Sequence, residues 1–233
     1  QDIINTEIPG NPIVGRFLSD MLVKLKRESY QDIYTFDEAI LNLGKTGNAM
    51  VPVAEINDKS LKIERAAVIK EYELKGFLEP EEVSTIMVLL NPDKARIPNF
   101  NVNVEGINIS SEAVDISMTK DIDLKDEKLS ADYYITMYLY VDSFIIGSNK
   151  LEDPEYLNKI KDETGKSFLA VAEKTIDKLQ HTYRTDLLKI KDDLYKYHKK
   201  DYEKVMDNYD EVFEAATINI HLDMKIKSTG LVK

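Results

Sequence analysis

The feature that most limits the possible folds is a long helical periodicity that begins at Asp153-Pro154. Apolar side chains recur every three or four residues from Leu157 to Leu194, the spacing that lines one face of an α-helix. A helix of roughly forty residues is unusually long for a globular domain. We therefore expect it to cross a sheet diagonally, with Gly165 as the first position at which it would kink.

The chain that follows this helix changes its period. Between Tyr202 and Phe213 the apolar spacing is again helical, and residues 197–200 are expected to separate this shorter helix from the long one. From Ala216 to Ile226 apolar side chains occupy every second position, which predicts an amphipathic strand. Residues 99–147 alternate in the same way and are rich in tyrosine and β-branched residues, so they are predicted to supply further strands.

The first part of the chain mixes helical and strand signals. A proline and two acids at Pro80-Glu81-Glu82 make a good helix start. The predicted elements are helices over 13–28 and 35–43, the latter ending at Gly44, strands over 50–56 and 61–70 joined by a turn at 57–59, a tight place at Lys75-Gly76, and a helix from Glu79 to near Asn91.

Together these elements predict an α+β protein with two domains. Residues 1–91 would form a small α+β domain. Residues 92–233 would form a domain in which an antiparallel β-sheet packs against a long C-terminal helix.

Composition narrows the classes of function. The 233 residues carry a formal net charge of -11, and an acidic surface repels the phosphate backbone, so nucleic acid is not an expected partner. The absence of cysteine excludes disulfides, thiolate metal sites and cysteine nucleophiles. The longest apolar run, residues 133–141, is far shorter than the ~20 residues of a transmembrane helix. The chain opens at Gln1 without an initiator methionine or a signal-peptide pattern, and we interpret it as a fragment.

The histidines do not have the spacing of a metal site. His181, His198 and His221 include no pair four residues apart on one helix face. His198 is expected at a helix end, and His221 on the solvated polar side of the final strand. A serine-histidine-acid triad is not excluded by composition, but the Gly-x-Ser-x-Gly sequence that would position a nucleophile is missing.

Two motif-like stretches are interpreted as structural. Gly44-Lys45-Thr46 resembles the end of a phosphate-binding loop, but Ala39 stands where the first glycine is required. The acids between residues 121 and 127 lack the glycine and the closing glutamate of an EF-hand loop, so a charged hairpin turn is favoured over a calcium site. Those acids are Asp121, Asp123, Asp126 and Glu127.

One strand carries a row of aromatic and hydroxyl side chains on a single face, namely Tyr134, Thr136, Tyr138 and Tyr140. Such a face can pack on the long helix or stay exposed for a partner, and packing in the core or on the helix is favoured. No catalytic, cofactor-binding or metal-binding residue is predicted anywhere in the chain, and no cofactor is expected.

The order of residues after Asp186 carries more information than their periodicity does. The block Asp207-Asn208-Tyr209-Asp210-Glu211-Val212-Phe213, the alternating strand and Thr229-Gly230 follow one another as at the C-terminal end of the Ger(x)C family, the C subunits of spore germinant receptors. The chain resembles that family upstream as well, at residues 2–9, 67–78 and 152–188, so the resemblance covers nearly the whole chain.

The chain also departs from the family pattern. Tyr202 and Tyr209 replace the usual tryptophans. Lys189, Lys191 and Lys199 replace glycines and a proline in the family's helical linker, which favours a straighter helix.

The resemblance implies that this chain comprises the middle and C-terminal domains of a germinant receptor C subunit. Such a protein would be a lipoprotein on the outer face of the spore inner membrane, held by an N-terminal lipid anchor that is absent from this chain. It would act with the membrane-embedded A and B subunits in nutrient-triggered germination. The expected role is non-catalytic interaction, with exposed positions of the final strand and the long helix as the contact surface.

Two other functions stay open at this point. One is binding of a small nutrient ligand between the two domains, where pockets often lie. The other is a hydrolase activity whose residues follow no familiar motif.

Overall fold

The computed structural model describes residues 36–57, 60–95, 97–126, 128–141 and 148–229. The chain divides into two compact units, residues 1–83 and 84–233. Helices and strands both occur in each unit, so the predicted α+β class is confirmed. The helix predicted over 13–28 lies outside the described residues, and the domain boundary at residues 91 and 92 stays a prediction.

The first unit contains a three-stranded antiparallel sheet. Helix α1 (Phe36–Thr46) leads into strands β1 (Asn48–Asn57), β2 (Ser60–Lys70) and β3 (Glu73–Leu78), in the order β1-β2-β3. The two strands predicted over 50–56 and 61–70 are confirmed. The predicted helix end at Gly44 is wrong, because the helix continues to Thr46 and the left-handed backbone of Gly47 (φ +74°) ends it.

The tight turn in this sheet lies elsewhere than the sequence suggested. Glu71 and Tyr72 both have positive φ (52° and 65°) and form the two-residue connection between β2 and β3. Gly76 instead lies within β3 opposite Val68, and the register shifts between Val68 and Ile69. Gly76 therefore lies at a β-bulge within the sheet and not in a turn between two strands.

Helix α2 (Pro80–Leu90) matches the helix predicted from Glu79 to near Asn91. Its first turn contains the predicted proline and acids. The carboxylate of Glu82 also accepts a 2.8 Å hydrogen bond from the backbone N–H of Glu79, which was not predicted from the sequence. A short 3-10 turn (Pro92–Lys94) follows. In the described parts of the chain no helix is both long and apolar enough to cross a bilayer.

The second unit is built on a four-stranded sheet. Its strands are β4 (Ile97–Val104), β5 (Ile107–Lys125), β6 (Lys128–Val141) and β7 (Thr217–Thr229), in the order β4-β5-β6-β7. The first three pair antiparallel, but β7 runs parallel to β6, so the sheet is mixed and not wholly antiparallel as expected. The reason is the connection: the chain leaves the far end of β6, crosses over the sheet as helices and re-enters at the end where β6 began.

This crossover is not one long helix. Its elements are a 3-10 turn (Ser148–Glu152), α3 (Pro154–Asp177), a π-helical turn (Lys178–Thr182), α4 (Ile190–Tyr197), α5 (Lys199–Val205) and α6 (Tyr209–Glu214). The predicted length of forty residues is therefore wrong, while the predicted separation near residues 197–200 is confirmed at His198. The kink at Gly165 stays a prediction, and α3 continues through that residue. After the π turn the chain leaves the helix, with positive φ at Arg184 and Lys189.

Helix α3 covers one face of the second sheet. The ring of Phe168 meets that of Phe100 on β4 edge-to-face at 6.5 Å. At the opposite edge of the same face, a Cβ built on Gly165 would lie 3.7 Å from the sulfur of Met224 on β7. The sheet therefore has a face buried by the helix, here called the inner face, and an opposite outer face.

Candidate functional site

The tyrosine row on β6 lies on the outer face, so the expectation that it packs in the core or on the long helix is wrong. Tyr134 and Tyr140 are 50% and 39% exposed, whereas Tyr133 and Ile135, the neighbours of Tyr134, are 0% and 2% exposed. Successive side chains of a strand point to opposite faces, so the periodicity separated the two rows correctly. It did not tell which row the helix covers, because both rows contain tyrosine.

Strand β7 supplies a matching row of polar side chains beside these tyrosines. The backbone pairing sets Tyr134 next to His221, Thr136 next to Asp223 and Tyr138 next to Lys225. The polar side predicted for the final strand is therefore confirmed, and His221 lies there as predicted. We call the tyrosine row of β6 and this row of β7 the aromatic ladder.

Each tyrosine of the ladder contacts a β7 side chain. The imidazole of His221 stacks on the ring of Tyr134 with 4.5 Å between centroids. The ammonium of Lys225 lies 5.8 Å from the ring centroid of Tyr138, and that of Lys227 lies 5.7 Å from Tyr140. Stacking and cation–π contacts of this kind hold the side chains in a defined arrangement although they are exposed.

A hydrogen-bonded acid anchors one end of the ladder. The carboxylate of Asp132 lies 2.8 Å from Nε2 of His221 and accepts a 3.0 Å hydrogen bond from the side-chain amide of Asn219. These two hydrogen bonds, His221 first, hold the pKa of Asp132 below its ordinary value. The imidazole is thus fixed in orientation by a carboxylate at one edge and a tyrosine ring at its face.

A shallow pocket opens on the outer face beside this stack. Its cavity volume is about 370 Å³, and the residues that line it come from three adjacent strands. The lining residues are Ser117, Met118, Thr119, Tyr134, Ile135, Thr136, His221, Leu222 and Asp223. They offer hydroxyl groups, a carboxylate, an imidazole and an aromatic ring, which suits non-covalent contact with a polar surface.

The hydroxyl of Thr119 in this pocket is too far from the imidazole of His221 to act as its nucleophile. Tyr134 lies between Thr119 on β5 and His221 on β7, since each is its backbone partner. Two strand spacings separate such positions by roughly 10 Å. This exceeds the ~3 Å that proton transfer between a nucleophile and its base requires.

A second polar cluster lies in the interior behind the inner face. The buried carboxylate of Asp186 accepts hydrogen bonds from the Tyr209 hydroxyl (2.7 Å) and the backbone N–H of Lys191 (2.9 Å). Burial raises the pKa of Asp186 above its ordinary value, and the hydrogen bonds only partly oppose that effect. Tyr133 lies in the same region, where burial and the charge of Asp186 raise the pKa of its phenol.

A lysine from the sheet compensates the acids of this cluster. Lys120, on the inner face of β5, forms an ion pair with Asp193 of helix α4. Its ammonium also lies 5.4 Å from the ring centroid of Tyr133. The cluster ties α4 and the residues before it to the sheet, so we interpret it as structural.

The other predicted positions are scattered. His181 lies in the π turn, where its Nδ1 is 2.9 Å from the carboxylate of Asp177, and His198 lies at the junction of α4 and α5, a helix end as predicted. Gly44-Lys45-Thr46 forms the last turn of α1, where no phosphate loop can form. No three histidine, aspartate or glutamate side chains of the described residues converge on a possible metal position.

Asp121 and Asp123 of the acidic stretch lie on strand β5. β5 continues to Lys125, and Asp126 (φ 50°) begins the connection to β6. Asp123 forms an ion pair with Lys125. The predicted charged hairpin is therefore present, since β5 and β6 pair as far as Lys125 and Lys128, and part of the acidic stretch belongs to the strand.

The exposed positions of the long helix differ from those of β7. Lys159 bridges Glu155 of α3 and Glu105 of the β4–β5 turn, and Lys166 pairs with Glu163. These charges are mutually neutralised on an ordinary solvated face. Of the two predicted contact surfaces, the final strand has the more distinctive chemistry.

Comparison with known proteins gives two similarities. The family model described as "Spore germination B3/ GerAC like, C-terminal" matches residues 64–230. A solved structure titled "Crystal Structure of the GerBC protein" is similar with a TM-score of 0.69 and 19% sequence identity, over 84% of this chain and 65% of that one. At this identity the likeness concerns the fold, and the chain spans 65% of the length of that relative. No curated protein matches the chain.

Proposed function

The chain belongs to the spore germination B3/GerAC-like family, the Ger(x)C family of germinant receptor C subunits, and we propose that it serves there as a non-catalytic interaction module. In this role it would help assemble the receptor or transmit nutrient binding to the release of ions and dipicolinate. The proposed partners are the membrane-embedded A and B subunits. The full-length protein would be lipid-anchored on the outer face of the spore inner membrane.

The observation that carries this proposal is the aromatic ladder. Tyrosine is enriched where proteins meet partners, because its ring buries a large area at low entropic cost while its hydroxyl keeps a hydrogen-bonding partner. Tyr134 and Tyr140 remain exposed even though the opposite face of the same strand is fully covered. Their stacking and cation–π contacts with β7 preorganise the face, which lowers the entropy lost on association.

Crosslinking tests the proposed contact. A photoreactive amino acid is placed at Tyr134 in the full-length subunit, and at Tyr72 in a control subunit, because Tyr72 is 78% exposed but lies in the first unit. After irradiation of spore membranes, we expect the Tyr134 position to crosslink to a membrane-embedded receptor subunit more strongly than the Tyr72 position. Equal or absent crosslinking at Tyr134 would contradict an interaction through the ladder.

A germination assay tests the role itself. Spores that lack this subunit should fail to respond to the cognate nutrient and still germinate with exogenous dipicolinate, which bypasses the receptor. The double variant Tyr134→Ser, Tyr140→Ser should show the same selective defect at a normal protein level, while Tyr72→Ser should not. Normal nutrient germination of the deletion strain would overturn the proposed function.

A second candidate function is binding of a small polar ligand. The observation that favours it is the outer-face pocket of about 370 Å³, in which Asp223, His221 and several hydroxyl groups surround the ring of Tyr134. Calorimetric titration of the chain with amino acids and sugars tests it, with Asp223→Ala as the binding-site variant. Absence of heat at millimolar ligand would count against this candidate and leave the interaction role untouched.

A further inference from the structure

The junction of α4 and α5 exposes an unbroken run of lysine and aromatic side chains. All six residues from Tyr195 to Lys200 are exposed, with Tyr195 at 58% and Tyr197 at 75%. The run reads Tyr195-Lys196-Tyr197-His198-Lys199-Lys200, and we call it the lysine–tyrosine corner.

The corner has a local charge opposite to that of the whole chain. It contains three lysines and no acid, in a chain with a formal net charge of -11. Neither Lys196, Lys199 nor Lys200 forms an ion pair with another residue that the structure describes. The acids nearest in sequence are already engaged, since Asp193 pairs with Lys120 and Asp201 pairs with Lys204.

Buried flanking residues and backbone hydrogen bonds hold the corner in place. Leu194 and Val205, which flank it, are both fully buried. The chain turns at His198, whose backbone N–H donates to the carbonyl of Leu194 (2.9 Å) and whose carbonyl accepts from the N–H of Tyr202 (2.9 Å). The ring of Tyr202 also meets that of Tyr195 edge-to-face at 5.3 Å. The exposed aromatics therefore project from a fixed support.

We propose that the lysine–tyrosine corner binds the surface of an anionic lipid bilayer. Tyrosine suits the headgroup layer because its ring is apolar and its hydroxyl is polar. Lysine suits the same layer because its stem lies along apolar surface while its ammonium reaches anionic headgroups. Three lysines and two tyrosines on one six-residue corner combine both properties.

Other anionic partners fit the corner less well. Lysine is depleted where proteins contact one another, so a protein partner is a poorer match for a corner that is half lysine. Nucleic acid requires a broad basic surface, whereas the rest of this chain is acidic. That acidity has a consequence for lipid binding: the net negative charge of the chain is repelled by anionic lipid, which favours an approach through the basic corner.

The proposal concerns the purified chain and does not rest on the role in germination. Each lysine near an anionic surface strengthens binding roughly fivefold, so three contribute on the order of a hundredfold. The effect should vanish at high salt, because the interaction is screened within a Debye length of about 10 Å at 0.1 M salt.

Vesicle co-sedimentation tests the charge contribution. The probe is vesicles of phosphatidylglycerol and phosphatidylcholine, compared with pure phosphatidylcholine at low and high salt. The variant replaces Lys196, Lys199 and Lys200 by glutamine. The matched control replaces Lys45, Lys128 and Lys174 by glutamine, which removes the same charge from exposed positions elsewhere. We expect the first variant to lose at least tenfold in binding to anionic vesicles and the control to bind as the unmodified chain does.

Fluorescence tests the insertion of the aromatic side chains. The chain contains no tryptophan, so the variant Tyr197→Trp carries a single reporter, and Tyr72→Trp carries the same reporter at a similarly exposed position in the first unit. Anionic vesicles should shift the emission of Tyr197→Trp to shorter wavelength and leave that of Tyr72→Trp unchanged.

Three results would overturn the proposal. One is failure of the chain to bind anionic vesicles at low salt, and another is an equal loss in the two lysine variants. The third is tight binding to soluble polyglutamate together with no emission shift in Tyr197→Trp, which would show recognition of charge without a bilayer. Circular dichroism of each variant confirms that the fold is intact.

Discussion

The hydroxyl of Tyr209 donates a 2.7 Å hydrogen bond to the buried carboxylate of Asp186, which lies 23 residues earlier in the chain. Both residues belong to the sequence pattern that identified the family resemblance: Asp186 begins it, and Tyr209 stands where tryptophan is usual. Tyrosine and tryptophan both carry a hydrogen-bond donor on a large ring. In this chain, two positions of the pattern thus form a buried hydrogen bond within the helical crossover.

Removing this hydroxyl should destabilise the protein. Tyr209→Phe keeps the ring that stacks with Phe213 but takes a donor from a buried carboxylate, and hydrogen bonds to charged groups contribute about 1.5–3 kcal/mol. We expect the free energy of unfolding in urea to fall by about that amount. Tyr72→Phe, on an exposed tyrosine, should change it by less than about 0.5 kcal/mol. Equal stability of the two variants would show that the buried hydrogen bond contributes nothing.

The burial of Asp186 predicts a pH dependence of stability. Because burial raises the pKa of Asp186 above its ordinary value of 3.8, its contribution to stability is complete below pH 3.8 and is lost as the pH rises through the folded-state pKa. Asp186→Asn cannot ionise and lacks this term. The stability of the unmodified chain relative to Asp186→Asn should therefore increase as the pH is lowered from neutral toward 3.8. Urea unfolding of both proteins across this range measures the difference, and a pH-independent difference would contradict the assignment.

Asp132 should respond to pH in the opposite sense. Its pKa lies below the ordinary value of 3.8, so the ionised carboxylate stabilises the fold above pH 3.8 and this contribution is lost as the pH falls through the folded-state pKa. Since the hydrogen bond with His221 is the largest cause, His221→Ala should raise the pKa of Asp132 toward 3.8. Asn219→Ala should raise it less. A carbon-detected NMR titration of the Asp132 carboxyl group measures both, and a larger effect from Asn219→Ala would reverse the proposed order.

Two glycines should respond oppositely to the same substitution. Gly165 lies inside α3, where a Cβ would meet Met224 and Leu222 at ordinary contact distances of 3.7 and 3.8 Å. Gly165→Ala should therefore stabilise the protein by about 0.5–1 kcal/mol through lower entropy of the unfolded chain. Gly106 has open space around it, but its φ of +81° disfavours any side chain, so Gly106→Ala should destabilise by about 1–2 kcal/mol. Thermal unfolding of both variants tests the pair, and a shift of the same sign in both would show that backbone conformation does not decide the outcome.

The sequence predicted strand β7 well because its two rows differ sharply in polarity. Ile220 and Leu222 alternate with His221 and Asp223, and only one assignment of faces buries the apolar row. The faces of β6 were harder to assign, because tyrosine occurs on both of them: Tyr133 is buried and Tyr134 is exposed. Only the position of the helix decides between them.

The length of the long helix was overestimated for a related reason. Tyr183 and Leu187 continue the helical spacing of α3 although the chain has left the helix by Thr182. Both are buried, since an irregular segment that lies on a core can also place apolar side chains every three or four residues. The left-handed backbone of Lys189, which ends this segment, is a conformation that the residue type does not signal.

Strand direction likewise cannot be read from alternation, and the parallel pairing of β6 with β7 has a consequence for synthesis. A ribosome finishes β6 at Val141 and must add every residue up to Thr217 before the neighbouring strand begins. At about 5–20 residues per second, this interval lasts for several seconds. Throughout it the edge of β6 lacks the strand that will cover it, and unpaired edges invite contact with other chains. The nascent chain is therefore most exposed to misassembly while its helical crossover is being made.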